Sequence, residues 1–238
     1  MKKSMIVLLA FSFMLISIAG CGDKTKDESE PVFAAKVIPT TEASKASTED
    51  VSETEEYQPE DLAQSKYLEV LSNKTTFIDT NNASKPTYMK SIYYGEGVTC
   101  KPKQFALVDY DKDGNPEVCV QIDLGFDSEF VVLHYSDGQV YGYSFVYRGM
   151  EQIGSNGYYT ASSGAAYTDI LSLNFNGSKM TEDKVAYSDV DANNNPVYFK
   201  GNGTSMEEAD WNTLLNGVQN NPVVWHTFDE RDWESYFN

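Results

Sequence analysis

Apolar and polar positions divide the chain into an unpatterned opening part, a helical segment, a long run of alternating segments and a helical end. Leucines recur at near-helical spacing after Pro59, which predicts a helix over residues 59–72. From Lys103 onward, apolar and polar residues alternate in short segments separated by turn residues, a pattern typical of strands. We therefore predict a single α+β domain over residues 58–238.

The alternating segments are connected by short turns, among them Asp137-Gly138 and Asn176-Gly177, which are pairs that favour hairpins. No helix-length segment separates them, so the pattern predicts one antiparallel β-meander sheet. The second strand of the first hairpin is predicted over residues 118–124, and the strands after that hairpin over residues 129–135, 139–147, 152–162, 168–175 and 184–189.

The end of the chain returns to helical spacing. Thr204-Ser-Met-Glu207 has the spacing of a capping box, and an apolar face follows it from Trp211 to Val218. Residues 223–237 then supply an aromatic tail. We expect the N-terminal helix and the C-terminal helices to pack on the sheet.

The most specific chemical pattern is Asp109-Tyr-Asp-Lys-Asp-Gly-Asn-Pro-Glu117, between the first two strands. Calcium takes six to eight oxygen ligands, and calcium loops supply them from alternate residues with a glycine at the sixth position. Gly114 is at that position, whereas position 12 is Val120 rather than the glutamate of an EF-hand. The predicted ligands of this EF-hand-like loop are Asp109, Asp111, Asp113, Asn115 through its backbone carbonyl, and Glu117.

The alternative interpretation is an Asx-type turn without a metal, because Asp, Asn and Gly are also turn residues. Three alternating aspartates, a glycine and an acid at position 9 exceed what a turn requires, so we expect Ca2+ as a cofactor. The loop over residues 189–196 is similar but lacks both the glycine and the ninth-position acid. We interpret it as a hairpin loop without metal.

Residues 1–20 have the pattern of a secretory signal peptide, with two lysines, a short apolar core and then small residues. Ile18-Ala-Gly-Cys21 resembles the lipobox of bacterial lipoproteins, which implies a lipid on Cys21 after cleavage. Residues 21–57 are polar and acidic, which predicts a disordered tether. The resemblance implies a domain anchored by lipid at the extracytoplasmic face of the cell membrane.

The net charge of −18 argues against a nucleic-acid partner, because phosphates would be repelled. Cys100 and Cys119 remain once Cys21 carries a lipid. An exported protein permits a disulfide between them, but their spacing does not decide between a disulfide and two thiols.

An aromatic stripe alternates along one predicted strand. It has two interpretations: half-buried core, or a platform on which sugar rings stack. The candidate stacking residues are Tyr141, Tyr143 and Tyr147. Catalytic patterns are sparse, because neither His134 nor His226 has the spacing of a zinc site or a nucleophile pair. We do not expect an enzyme.

Several segments together resemble a group of uncharacterised lipoproteins from Gram-positive, clostridia-like bacteria. They are the lipobox, the acidic tether and residues 67–71, 105–117, 141–149 and 225–237. The loop alone is similar to the calcium hairpins of integrin-type propellers, but one copy does not make a propeller. We expect a non-enzymatic surface module stabilised by calcium, with a cell-wall glycan or a surface protein as partner. The alternative is a cell-wall or glycan-acting enzyme, or a glycan-binding accessory protein.

Overall fold

The computed structural model describes residues 59–92, 100–125, 128–146, 148–164 and 167–237. These residues belong to one compact unit with an α+β fold. The predicted signal peptide, the lipidated Cys21 and the predicted tether over residues 21–57 lie outside the described residues. Within the described part of the chain, neither α-helix has the length and apolar character needed to cross a bilayer.

Two α-helices, two short 3-10 helices and thirteen strands are present among the described residues. The helices are α1 Pro59–Leu71 and α2 Glu208–Gln219, and the 3-10 helices are Met89–Ser91 and Trp233–Phe237. The strands are β1 Phe77–Asp79, β2 Lys85–Thr87, β3 Lys101–Val108, β4 Glu117–Asp123, β5 Ser128–Ser136, β6 Gln139–Phe145, β7 Gln152–Ile153, β8 Tyr158–Gly164, β9 Tyr167–Asn176, β10 Lys179–Val190, β11 Pro196–Lys200, β12 Ser205–Met206 and β13 His226–Thr227.

The strands form two sheets instead of the one that was predicted. The first sheet has the order β13-β3-β4-β5-β6-β1-β2, and the second has the order β12-β11-β10-β9-β8-β7. The strand pairings are antiparallel except the one between β1 and β6, which is parallel. The single meander is therefore not confirmed. The central strands of the first sheet carry nearly continuous apolar runs, such as Val118 to Val120, because both faces of this sheet are covered.

The apolar residues of the first sheet form two clusters, one on each face. Phe105, Val120 and Leu133 pack with α1 and the second 3-10 helix. Ala106 and Val132 lie on the opposite face and pack against the second sheet. The outer face of the second sheet is covered in turn by α2, through a third cluster. The layer order is thus helix, sheet, sheet, helix.

The hairpin turns were predicted correctly, whereas the capping box was not. Asp137 and Gly138 have φ of 51° and 81°, as a tight two-residue hairpin turn requires, and Gly177 has φ of 60° between β9 and β10. Helix α2 has Glu207 as its N-cap, without a side-chain cap hydrogen bond. The predicted cap segment instead contributes β12, which pairs with β11.

Candidate metal centre

The loop over residues 109–116 connects β3 to β4, whose paired residues Val108 and Glu117 fix its two ends. Ligand atoms of Asp109, Asp111 and Glu117 all lie within 4.8 Å of one another. Because Ca2+–oxygen distances are about 2.3–2.6 Å, two oxygens on opposite sides of one ion lie up to about 5 Å apart. These three carboxylates could therefore hold a single ion of that size.

Hydrogen bonds from the backbone fix the loop around the first aspartate. Asp109 Oδ1 accepts a hydrogen bond from the Asp113 amide at 3.1 Å, and its Oδ2 accepts one from the Gly114 amide at 3.2 Å. Gly114 has φ of 94° and Lys112 has φ of 64°, so the chain turns sharply twice. An ionised carboxylate has about four lone-pair sites, and these bonds leave acceptor capacity for a cation.

The structure brings three of the five predicted ligands together. The carboxylate of Asp113 is exposed, lies outside the cluster, and accepts a hydrogen bond from the Asn115 amide at 2.7 Å. Coordination by the Asn115 carbonyl stays a prediction. Asp113 and Asn115 do line a cavity of about 130 Å³ that adjoins Glu117 beside α1.

Glu117 is the buried member of the cluster, with only 2% of its surface exposed. Its Oε2 accepts a hydrogen bond from the Tyr110 amide at 3.1 Å, and its Oε1 lies 3.1 Å from His134 Nδ1. Burial raises the pKa of Glu117 to about 6, and the His134 hydrogen bond only partly offsets that effect. The charge of Asp111 raises this pKa further. A bound cation would compensate the charge that burial penalises.

His134 is the residue of this site that sequence reasoning passed over. Pairing of Val118 with Leu133 sets Glu117 beside His134 on neighbouring strands. The ring of His134 stacks on Phe175 of β9, with centroids 4.2 Å apart and planes 6° apart. Residue spacing along the chain does not predict the contact between Glu117 and His134, because only the register between β4 and β5 creates it.

The second sheet holds the loop in place from the other side. A Cβ on Gly157, which has φ of 80°, would lie 2.5 Å from the backbone oxygen of Asp109. Lys112 Nζ lies 3.9 Å from the centroid of the Tyr158 ring, a cation–π contact. The loop conformation is thus tied to the turn between β7 and β8.

The aromatic stripe of β6 faces the second sheet. Tyr143 is 5% exposed, and its hydroxyl donates a hydrogen bond to the Ser178 carbonyl at 2.9 Å. Tyr141 packs, partly buried, against the same cluster. Tyr147 lies outside the described residues. The stacking interpretation is therefore wrong for Tyr143, which is core, because the second sheet covers this face.

No disulfide joins the two candidate cysteines. Cys119 is fully buried on the face toward the second sheet, whereas Cys100 packs against the cluster on the opposite face. The register also separates them, because Cys119 pairs with Ala106 while Cys100 directly precedes β3. Burial raises the pKa of the Cys119 thiol to about 12.

Comparisons with known proteins gave no significant match: no protein-family model matches the chain, and no curated protein and no solved structure is significantly similar to it.

Proposed function

We propose that the protein is a lipid-anchored, extracytoplasmic, non-enzymatic surface module whose β3–β4 hairpin is stabilised by Ca2+. The observation that carries the proposal is that ligand atoms of Asp109, Asp111 and the buried Glu117 all lie within 4.8 Å of one another. Three carboxylates offer only hard oxygen ligands, which suit Ca2+ or Mg2+ better than softer metals. The low energetic cost of dehydrating Ca2+ relative to Mg2+ favours Ca2+.

The surroundings of the hairpin support a structural role for the ion. The Tyr110 amide contacts Glu117 from within the loop, and His134 contacts it from β5. Gly157, in the turn between β7 and β8 of the second sheet, packs on the loop backbone. A cation among these carboxylates would relieve their mutual repulsion, roughly 1–4 kcal/mol per pair near a surface. Binding should therefore stabilise the junction of the two sheets.

Calcium binding is tested by titrating the purified protein, stripped with chelator, while recording thermal unfolding. We expect a Kd on the order of 10⁻⁴–10⁻³ M, as in extracellular calcium modules, and a much weaker response to Mg2+. The variant Asp109→Asn should reduce the response, whereas the control Asp191→Asn, in the similar loop between β10 and β11, should leave it intact. An unfolding temperature of the parent protein that does not change when calcium is added would contradict the proposal.

The anchor is supported by the lipobox-like segment that ends at Cys21 and by the polar tether that follows it. Expression in a Gram-positive host with a radiolabelled fatty acid should give a labelled protein in the membrane fraction. The Cys21→Ala variant should lose the label. Equal labelling of both forms would exclude Cys21 as the site of lipidation.

A further inference from the structure

A second cavity, of about 290 Å³, lies between the two sheets near the end of α2. None of the acidic loop residues lines it. Gln104, Gln121 and Phe130 line it from the first sheet, and Gln152, Gln219 and Trp225 are among the residues that line it elsewhere. None of these residues belongs to the sites predicted from the sequence.

One side of the cavity is a row of three cross-strand neighbours. Gln104 of β3 pairs with Gln121 of β4, and Gln121 pairs in turn with Phe130 of β5. The Oε1 atom of Gln121 is buried and accepts no hydrogen bond from the described residues. A buried acceptor without a donor is costly, so this atom is suited to a donor from a bound molecule.

An aromatic surface lies beside the amides. The ring of Trp225 stacks on Phe130, with centroids 5.9 Å apart and planes 29° apart, and both rings line the cavity. An aromatic face accepts the C–H surface of a ligand, while neighbouring amides both donate to and accept from its hydroxyl groups. Sugar rings combine these two kinds of surface.

The charge of the residues that line the cavity argues against an anionic ligand. Glu151 is the one ionisable residue among the described residues that line the cavity, and its Oε1 accepts a hydrogen bond from Ser162 Oγ at 2.8 Å. This described lining has four glutamines and no basic side chain, so it offers no counter-charge to an anion. Its volume lies at the lower end of the roughly 300–1,000 Å³ typical of ligand pockets, which limits the ligand to about one ring.

We propose that this cavity binds a neutral, hydroxyl-rich ligand of the size of one sugar ring, with Trp225 against the ring face and Gln121 accepting from a hydroxyl group. The site shares no residue with the calcium loop. The two proposals can therefore fail independently.

The test is a titration of the folded protein, in calcium and again in chelator, followed by NMR and by tryptophan fluorescence. The neutral probes are methyl glucoside, methyl galactoside and N-acetylglucosamine, with choline as the cationic probe and citrate as the anionic one. We expect at least one neutral sugar to bind with a Kd on the order of millimolar, because a single ring makes few contacts. Shifted resonances should map to Gln121 and Trp225.

Two variants and one control decide the location. Gln121→Leu has a similar volume and removes the unsatisfied acceptor, so it should fold and lose about tenfold or more in affinity. Trp225→Ala should also weaken binding. Gln139→Leu, a matched change in the β5–β6 hairpin, should leave the affinity unchanged.

Three results would overturn the proposal: no neutral sugar binds, only choline or citrate binds, or Gln121→Leu binds as tightly as the parent protein. Each binding result counts only for protein whose cooperative unfolding shows that it is folded. A missing calcium response with sugar binding intact would count against the metal centre alone.

Discussion

Replacing Glu117 with Gln should change the stability of the protein in opposite directions with and without calcium. Glu117 is buried, and its pKa of about 6 in the fold compares with an ordinary value of 4.5. The folded protein thus binds this proton more tightly than the unfolded chain does. The stability that Glu117 contributes to the metal-free protein is therefore present below about pH 4.5 and is lost as the pH rises through about 6.

The size of this change in stability follows from the difference between the two pKa values of Glu117. The rise in the pKa of Glu117 from 4.5 to about 6 corresponds to about 2 kcal/mol of lost stability at pH 7.5, at about 1.36 kcal/mol per unit of pKa difference. Gln keeps an oxygen for the Tyr110 amide and carries no charge to bury. In chelator, Glu117→Gln should therefore be as stable as the parent protein or up to about 2 kcal/mol more stable.

Calcium favours the parent protein instead, and at about a hundred times the Kd it reverses this order. At a free concentration ten to a hundred times the Kd, binding stabilises the parent protein by about 1.4–2.7 kcal/mol. For a domain of this size, each kcal/mol shifts the unfolding temperature by about 2–4 °C, so calcium should raise it by roughly 3–10 °C. The variant lacks the buried carboxylate and should gain little.

Thermal unfolding followed by circular dichroism, in chelator and in calcium, measures both proteins under matched conditions. Glu208→Gln, at the exposed start of α2, is the control for loss of one negative charge, and it should keep the full calcium response. The reasoning is refuted if Glu117→Gln is strongly destabilised in chelator, or if it gains as much from calcium as the parent protein.

Three further predictions follow from the same structure. Calcium affinity should fall by up to about tenfold per pH unit below pH 6, because the ion needs the ionised form of Glu117, and titration calorimetry across that range measures the change; a constant affinity would contradict it. Gly157→Ala should cost about 1–3 kcal/mol and weaken calcium binding, since its Cβ would meet the loop backbone, whereas Gly177→Ala, in open space at a similar φ, should cost less and leave calcium binding unchanged in chemical denaturation and titration. Brief alkylation of the native protein, read by mass spectrometry, should modify Cys100 and leave Cys119 unmodified, because Cys119 is fully buried and Cys100 is partly exposed. Rapid labelling of Cys119 would contradict this prediction and show that the sheets open.

Sequence pattern predicted the elements of the fold well and their assembly poorly. The hairpin turn at Asp137 and Gly138 was predictable because few residues tolerate the positive φ that a tight turn requires. The division into two sheets was not, since an alternating pattern defines the faces of a strand and leaves its partners open. The apolar run from Val118 to Val120 was the available signal, because a strand covered on both faces needs no alternation.

The candidate site shows the same contrast: contacts within the loop were predictable from the sequence, whereas contacts between strands were not. Asp109 and Asp111 are neighbours in one loop, so their spacing was enough to bring them together. Asp113 was expected beside them, but its carboxylate instead accepts the hydrogen bond of a nearby amide in an Asx-type turn. His134 joins Glu117 only through strand pairing, and sequence spacing cannot express that contact.

The position of Glu117 explains why one carboxylate should influence the whole sandwich. Its two oxygens contact the Tyr110 amide on one side and His134 on the other. The ring of His134 stacks on Phe175, and the ring of Tyr110 meets Tyr159 edge to face, with centroids 6.3 Å apart. Both partner rings, Phe175 and Tyr159, belong to the second sheet. A cation bound to Glu117 would compensate a buried charge at the point where the two sheets interlock, and its effect on stability should therefore extend beyond the loop that holds it.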